Sequence, residues 1–235
     1  MKLRVKFSKH GALKFIGHLD VMRYFQKAIR RAGIDIAYST GFSPHQIMSF
    51  AAPLGVGLES NGEYMDIEVC SLTSAKEFVD TLNAQMADGI RILEVKLLPE
   101  HAGNAMASVA AAKYSIAFRE GYFPSFLSSQ TIQEFYEQKE IIITKKTKKS
   151  EIIFDMKPFI YECTYDTQNT CINLIVDASS AGNIKPTLVL KALYALHQQT
   201  LDEFGVLITR EETYANVGTE GSVLLEPLGF MGSDY

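Results

Sequence analysis

The sequence has few cysteines and no long apolar run. Cys70, Cys163 and Cys171 lie far apart and lack C-x-x-C spacing, so they predict neither a zinc site nor an iron–sulfur cluster. Such cysteines are typical of small buried side chains in a reducing compartment. No apolar run approaches the roughly 18–20 residues of a membrane-spanning helix. The first residues alternate charged with apolar side chains, unlike a signal peptide. We therefore expect a cytoplasmic protein without a membrane segment.

The sequence signatures of several large enzyme classes are also missing. The chain contains no Ser-His-Asp arrangement, no G-x-S-x-G and no Cys–His nucleophile pattern. The G-x-G of Gly55 and Gly57 has no third glycine and no helix after it, which argues against a dinucleotide fingerprint or a P-loop. The sequence therefore specifies no reaction by itself.

The charge of the chain is distributed unevenly. The 235 residues carry a net charge of −4, and 47% of them are hydrophobic, a normal globular balance for one large domain or two smaller ones. Residues 1–50 contain nine Lys or Arg and two acidic residues, a net charge of +7, which leaves 14 basic and 25 acidic residues, or −11, for the rest. A gradient of this kind orients a protein toward a polyanion at one end.

Hydrophobic periodicity predicts an α+β fold with two ferredoxin-like halves and antiparallel sheets. Residues 1–99 follow the order β-α-β-β-α-β, with strands at 2–7, 34–38, 63–69 and 90–98, extended pieces at 13–16 and 46–52, and helices at 18–32 and after Ser74. Residues 99–109 form a candidate linker. Residues 110–235 are predicted to form a second domain, a variant of the same plan. Its strands are expected at 112–119, 140–144, 151–156, 161–165, 171–176 and 206–214, its helices at 124–137 and 186–203, and a loosely docked tail at 216–235.

The first predicted helix carries a stripe of basic residues opposite its apolar face. The stripe consists of Arg23, Lys27, Arg30 and Arg31. It can contact several phosphates, and counterion release would make that binding salt-dependent. We expect the basic residues of the first strand, Lys2, Arg4 and Lys6, to extend this patch. The alternative is a solvated face that complements the helix dipole.

A loop without regular periodicity follows the second predicted strand. In Y-S-T-G-F-S-P-H, Gly41 permits a positive φ and Pro44 stiffens the backbone. Tyr38, Phe42 and His45 are planar groups on which single-stranded bases can stack, each worth about 1–3 kcal/mol. The alternative is a loop that Phe42 pins to the core.

Two histidines of this region, His18 and His45, are weak catalytic candidates. A histidine pair can cleave RNA by activating a 2′-hydroxyl and protonating the leaving group, or it can bind a metal together with Asp20 or Glu63. On a helix, His18 and Asp20 lie about 200° apart, which disfavours shared ligation, and we expect no metal site. We expect structural or RNA-contact roles for both histidines.

Two further charged segments have open roles. Glu59, Glu63, Asp66 and Glu68 are expected to pair with the basic helix. The run from Lys145 to Lys149 reads as an exposed hairpin tip that is either a solvated turn or a nucleic-acid contact.

Three motifs together resemble a radical-SAM-linked protein family, a domain without an established activity. They are F-I-G-H-L-D-x-M-R-x-F-x-x-A-I-R-R-A-G, Y-S-x-G-F-S-P-H and P-L-G-V-G-x-E-S-x-G-E-Y-x-D. The motif positions are His18, Asp20, Arg23, Arg30, Arg31, Tyr38, Gly41, Phe42, Pro44, His45, Gly57, Glu59 and Glu63. Gly17 stands where the resemblance leads us to expect a serine.

The resemblance implies a radical SAM partner that carries the iron–sulfur cluster and the SAM. This chain has no C-x-x-x-C-x-x-C, so we expect it to bind neither cofactor. The leading hypothesis is an RNA-binding accessory protein for tRNA or rRNA modification, with contacts from Arg23, Lys27, Arg30, Arg31, Tyr38 and His45. The alternatives are a metal-independent RNA-processing enzyme that uses His18 and His45, and a protein adaptor for the radical SAM partner.

Overall fold

The computed structural model describes residues 1–146, 151–180, 182–219 and 222–235, and the chain divides into two compact units. Unit 1 comprises Met1–Ala110 and Arg210–Tyr235, and unit 2 comprises Ala111–Thr209. The sequence-based division assigned residues 210–235 to the second domain. They belong to unit 1 because they pair and pack there with strands from the start of the chain. No helix in the described part of the chain is long and apolar enough to cross a membrane.

Unit 1 has the ferredoxin-like strand order. Its four main strands are arranged β4-β1-β3-β2, and the pairings of β1 with β4, β1 with β3 and β3 with β2 are antiparallel. The end of β10 also pairs with β3, and β11 pairs with β10. The elements are β1 (Lys2–Lys9), α1 (His18–Arg31), β2 (Met48–Phe50), β3 (Glu59–Glu68), α2 (Ala75–Asn83), β4 (Ile90–Leu97), α3 (Ala105–Ser108), β10 (Val206–Asn216) and β11 (Leu225–Pro227).

Two local predictions for unit 1 are wrong. Residues 13–16 are not extended, because Gly11–Phe15 forms a 3-10 helix that Gly11 enters with a φ of 61°. Residues 34–38 form no strand. Ile36 bridges Val69 and Tyr38 bridges Gln46, so the backbone changes partner after two residues and no continuous ladder develops.

The helices cover one face of the unit 1 sheet. Leu3, Val5 and Phe7 of β1 are fully buried in one core cluster with Phe25 of α1 and Leu82 of α2. Apolar burial of this kind is the main stabilising contribution to such a layer. The start of α2 is stabilised by a capping contact, in which the Ser74 hydroxyl accepts from the backbone N–H of Glu77.

The opposite face of the sheet is covered by chain segments that the sequence did not predict to be packed. Arg4 is 1% exposed. Its guanidinium donates to both carboxylate oxygens of Asp66, at 2.8 and 3.0 Å, and to the carbonyls of Leu228 and Gly103. The tail is therefore docked and not loose, and Leu228 is fully buried.

The prediction that basic residues of β1 extend the basic stripe is consequently wrong. Side chains alternate across a strand, so Lys2, Arg4 and Lys6 point away from the face that α1 covers. Lys2 donates to the carbonyl of Ala102, and Lys6 forms an ion pair with Glu212. These three cations contact other groups of unit 1 and therefore do not extend the stripe on α1.

Unit 2 repeats the plan with one insertion. Counting the first residues of β10, its strand order is β10-β5-β9-β8, and the β6-β7 hairpin is inserted after the first helix. The elements are β5 (Ala111–Phe118), α4 (Ser129–Tyr136), β6 (Ile142–Lys146), β7 (Glu151–Asp155), β8 (Ile160–Asp166), β9 (Cys171–Asp177) and α5 (Pro186–Leu196). The α+β prediction with antiparallel sheets is confirmed.

The helices of unit 2 are shorter than predicted. The first begins at Ser129 and not at residue 124, because the side chains of Ser128 and Thr131 form a capping box there. The last ends at Leu196 and not near residue 203, since Gln198 takes a positive φ of 56°. Residues 147–149 of the predicted lysine-rich tip, and the side chains of Lys145 and Lys146, lie outside the described part of the chain.

Candidate nucleic-acid interface

Helix α1 holds its basic residues away from the core. Its buried positions are Val21, Phe25, Ala28 and Ile29, and its exposed positions include Arg23, Lys27, Arg30 and Arg31. Arg23 makes one loose ion pair with Asp20, at 3.7 Å, in which both side chains are about two-thirds exposed. Arg31 donates to the carbonyl of Gln85 at 2.9 Å. Lys27 and Arg30 form no hydrogen bond or ion pair with the described residues, so both remain available to an outside anion.

The loop that follows carries its aromatic groups on the surface. Ser39 N donates to the carbonyl of His45 at 2.8 Å, and the Ser39 hydroxyl lies 2.9 Å from His45 Nδ1. These bonds close a small turn whose tip contains Gly41, with a φ of 114°, and Phe42. Phe42 is fully exposed and Tyr38 is 47% exposed. Phe42 therefore does not pin the loop to the core, and that alternative is wrong.

One hydrogen bond fixes the base of this loop against α1. The side-chain amide of Gln46, which is 5% exposed, donates to the carbonyl of Gln26 at 3.2 Å. Arg23, Gln26 and Arg30 are spaced i, i+3 and i+7 and so share one side of the helix. The loop base consequently lies on the side of α1 that carries Arg23 and Arg30.

A polar network forms where the third motif meets the start of the chain. The Glu59 carboxylate accepts from His10 Nδ1 and from Lys14 Nζ, each at 3.0 Å. These bonds, first the one from His10, hold the pKa of the Glu59 carboxyl below its ordinary value. Gly57 N donates to the carbonyl of Lys14 at 2.8 Å, with a φ of 90° at Gly57. Glu59 therefore pairs with His10 and Lys14. The expectation that it pairs with the basic helix is wrong.

The other acidic residues of the third motif region also find partners away from the stripe. Arg210 Nη1 donates to Glu63 Oε1 at 3.0 Å, and the Ser60 hydroxyl donates to the same oxygen at 2.7 Å. Asp66 is bound to Arg4. Glu59, Glu63 and Asp66 therefore do not neutralise the positive charge of α1. The expectation that they pair with the basic helix is wrong for these three residues.

A small cavity lies beside Glu63. It is lined by Phe7, Lys9, His18, Val21, Phe50, Pro53, Leu54 and Glu63. The His18 ring meets Phe50 edge-on, with 5.2 Å between centroids. Lys9 is 2% exposed, and its burial lowers the pKa of its amine, an effect that Glu63 opposes and Arg210 reinforces.

Lys9 and Arg210 were not recognised as site residues from the sequence. One signal was present for Lys9, because it falls on the same strand face as Leu3, Val5 and Phe7. No local signal identifies Arg210, whose partner Glu63 is 147 residues away.

A family model with the description "uncharacterized protein conserved in bacteria (DUF2344)" matches residues 2–186. The chain belongs to this family. No curated protein matches the sequence. Among solved structures, a chain of the "Crystal Structure of a Cbf5-Nop10-Gar1 Complex" is similar at a TM-score of 0.48 and 11% sequence identity, over 90% of this chain and 48% of that chain. This chain therefore spans about half the length of that one.

Within this family member, the motif residues occupy three neighbourhoods of unit 1. Asp20, the basic stripe, Gly41, Phe42, Pro44 and His45 lie on exposed parts of α1 and the loop. Gly57 and Glu59 belong to the network with Lys14, and Glu63 faces the cavity. The two histidines differ in setting, since His18 packs on Phe50 and His45 contacts Ser39. In the described part of the chain, no group of three His, Cys, Asp or Glu side chains could hold a metal ion.

Proposed function

We propose that this protein is a cytoplasmic RNA-binding accessory protein, which works with a radical SAM partner in the modification of tRNA or rRNA. The observation that carries the proposal is the exposed basic stripe of α1, formed by Arg23, Lys27 and Arg30, beside the loop with Tyr38, Phe42 and His45. The two features lie on one side of α1 and supply different contacts.

The stripe and the loop have complementary roles in this proposal. Long basic side chains on one helix face can follow a phosphate backbone without reading its sequence. Exposed aromatic rings stack on unpaired bases, which RNA presents in loops and at ends. A surface with both features therefore favours structured RNA that contains unpaired bases over a plain duplex.

The radical SAM partner enters the proposal through the sequence motifs. In this arrangement the partner holds the iron–sulfur cluster and the SAM, and the present chain holds the RNA. His18 and His45 act here as binding or structural groups. A metal-independent RNA-processing activity would require both imidazoles at one phosphate, and the contacts of His18 with Phe50 and of His45 with Ser39 do not favour that arrangement.

RNA affinity measured against salt concentration tests the proposal. We expect the Arg23→Ala/Arg30→Ala variant to bind an unmodified tRNA transcript more weakly and with a shallower salt slope, by about 0.7–0.9 per lost phosphate contact. Arg31 is left intact because it donates to the carbonyl of Gln85, which follows α2. The matched control is Lys76→Ala/Arg91→Ala, which removes two exposed positive charges elsewhere in unit 1.

The loop gives a second, independent readout. Phe42→Ala should lower RNA affinity by about 1–3 kcal/mol without changing the salt slope, since stacking releases no counterions. If wild type does not bind RNA, or if the stripe variant and its charge-matched control show the same salt slope, the proposal is wrong.

A protein adaptor is the second candidate function, and one observation favours it. Phe15, Leu19 and Val56 are each at least 60% exposed, on segments joined by the hydrogen bond between Gly57 and Lys14. Exposed apolar groups of this kind mark protein interaction sites. The adaptor would be supported if the chain co-purified with the radical SAM partner after nuclease treatment and did not bind RNA. Phe15→Ser or Phe42→Ala should then abolish the co-purification.

A further inference from the structure

A buried lysine and two other ionisable groups line one cavity in unit 1. Lys9 is 2% exposed and Glu63 is 6% exposed, while His18 is half-buried. The remaining walls come from apolar side chains, among them Phe7 and Phe50. Isolated charges in such surroundings are costly unless they are paired.

These three groups retain unused hydrogen-bonding capacity. Lys9 Nζ forms no hydrogen bond or ion pair with any described residue. The hydrogen bonds that Ser60 and Arg210 donate to the Glu63 side chain both reach Oε1, and among the described residues Oε2 has no donor. The His18 ring packs edge-on against Phe50. An amine, a carboxylate oxygen and an imidazole thus line the same small space without satisfying one another.

Burial, more than the neighbouring charges, acts on the protonation of Lys9. Arg210 stays protonated at any physiological pH and repels a charged amine. Burial and Arg210 lower the pKa of the Lys9 amine, and Glu63 only partly opposes them. An amine in an apolar site next to another cation is activated as a nucleophile.

We propose that Lys9 is a nucleophile that captures a small carbonyl compound, an aldehyde or a 2-oxo acid, as an imine in this cavity. The neutral Nζ attacks the carbonyl carbon, and the C=O π pair moves to the oxygen. Nζ loses a proton to the Glu63 carboxylate, and the same proton then passes to the oxygen to give a carbinolamine. Loss of the hydroxyl group as water, with a proton that His18 can supply, forms the C=N bond.

The size of the cavity limits the ligand. Its interior of about 20 Å³ holds about one water molecule, so the carbonyl group takes the place of that water. The rest of the compound then lies toward the side where Pro53 is exposed and His18 is half-buried. This site is separate from the stripe and loop of the proposed RNA surface.

Trapping with a small 2-oxo acid tests the inference on the whole chain. The protein is incubated near pH 7 with substoichiometric glyoxylate, reduced with borohydride and mapped by peptide mass spectrometry. We expect the adduct at Lys9 to exceed that at Lys6 and at Lys76 by at least about tenfold, equivalent to about 1.4 kcal/mol in barrier. Lys6 is on the same strand in an ion pair with Glu212, and Lys76 is 87% exposed.

The controls separate capture at Lys9 from general lysine chemistry. A Lys9→Met variant should lose the dominant adduct and keep the minor ones. The comparison of Lys9 with Lys6 and Lys76 is made within wild type, so it decides the question even if the variant does not fold. Labelling of Lys9 at or below the level of Lys76 would overturn the proposal.

Discussion

Arg4 and Lys9 are basic residues of one strand that are both almost fully buried, and their surroundings differ. The Arg4 guanidinium donates hydrogen bonds to the Asp66 carboxylate and to two backbone carbonyls, whereas Lys9 faces a cavity. A planar guanidinium suits several fixed acceptors at once, and an amine tolerates a change of protonation state. The first residue therefore has a structural role, and the second is the better candidate for chemistry.

Removing the Arg4 fork should destabilise unit 1 strongly. We expect Arg4→Met to cost about 3–5 kcal/mol of unfolding free energy, because it leaves Asp66 buried without its cation. Urea denaturation provides the measurement. The matched control is Lys76→Met, which breaks the exposed i,i+4 pair with Asp80 and should leave the unfolding free energy almost unchanged, because solvent screens such pairs. Equal losses for the two variants would show that the Arg4 fork is not stabilising.

At the scale of elements, the pairing of β3 with β10 requires a residue without a side chain. A Cβ on Gly62 would lie 2.5 Å from Glu212 Cα and 2.8 Å from the carbonyl oxygen of Glu211. Next to this point, the Thr213 hydroxyl donates to the carbonyl of Gly62 at 2.7 Å. The two backbones are therefore too close for any larger residue.

A Gly62→Ala substitution should separate these strands locally. We expect a loss of about 1–3 kcal/mol in unfolding free energy, as for other overpacked sites, measured by thermal or urea unfolding. Gly55→Ala is the control, since its added Cβ would meet only Leu58 Cδ1 at an ordinary 3.6 Å. A Gly62→Ala protein as stable as the Gly55→Ala protein would contradict the close approach.

Hydrophobic periodicity predicted the α+β class and helix α1, but it could not predict the long-range polar contacts. The spacing of Met22, Phe25 and Ile29 identifies α1 and its exposed side, because both follow from the helical period alone. The burial of Arg4 depends on a carbonyl 224 residues away, and the cavity depends on Arg210. Local pattern carries no information about either partner. The sequence left the exposure of Phe42 open for a related reason, since an isolated aromatic residue in a loop gives no period.

At the scale of the molecule, unit 1 is discontinuous in sequence. Residues 210–235 supply Arg210 to Glu63, Glu212 to Lys6 and the Leu228 carbonyl to Arg4. The predicted first domain, residues 1–99, lacks all three groups and leaves buried charges without partners. Removing the partner of a buried charge is among the most destabilising changes to a folded protein.

Two fragments test whether the discontinuous unit is the folding unit. We expect residues 1–99 alone to unfold without a cooperative transition. Residues 1–110 joined through a flexible linker to residues 210–235 should unfold cooperatively in urea, because the ion pairs and strand pairings of unit 1 are all present. A cooperative transition of equal midpoint for residues 1–99 would show that the later segment adds no stability.

The route of β10 also has a consequence for the order of events during synthesis. The chain emerges from its N-terminus, so residues 111–209 are complete before Arg210 and the segment after it exist. Unit 2 is therefore expected to fold first, although it comes second in the sequence, while Lys6 and Glu63 lack their partners Glu212 and Arg210, and Arg4 lacks the Leu228 carbonyl. During that interval the nascent chain exposes the surface on which a chaperone would act.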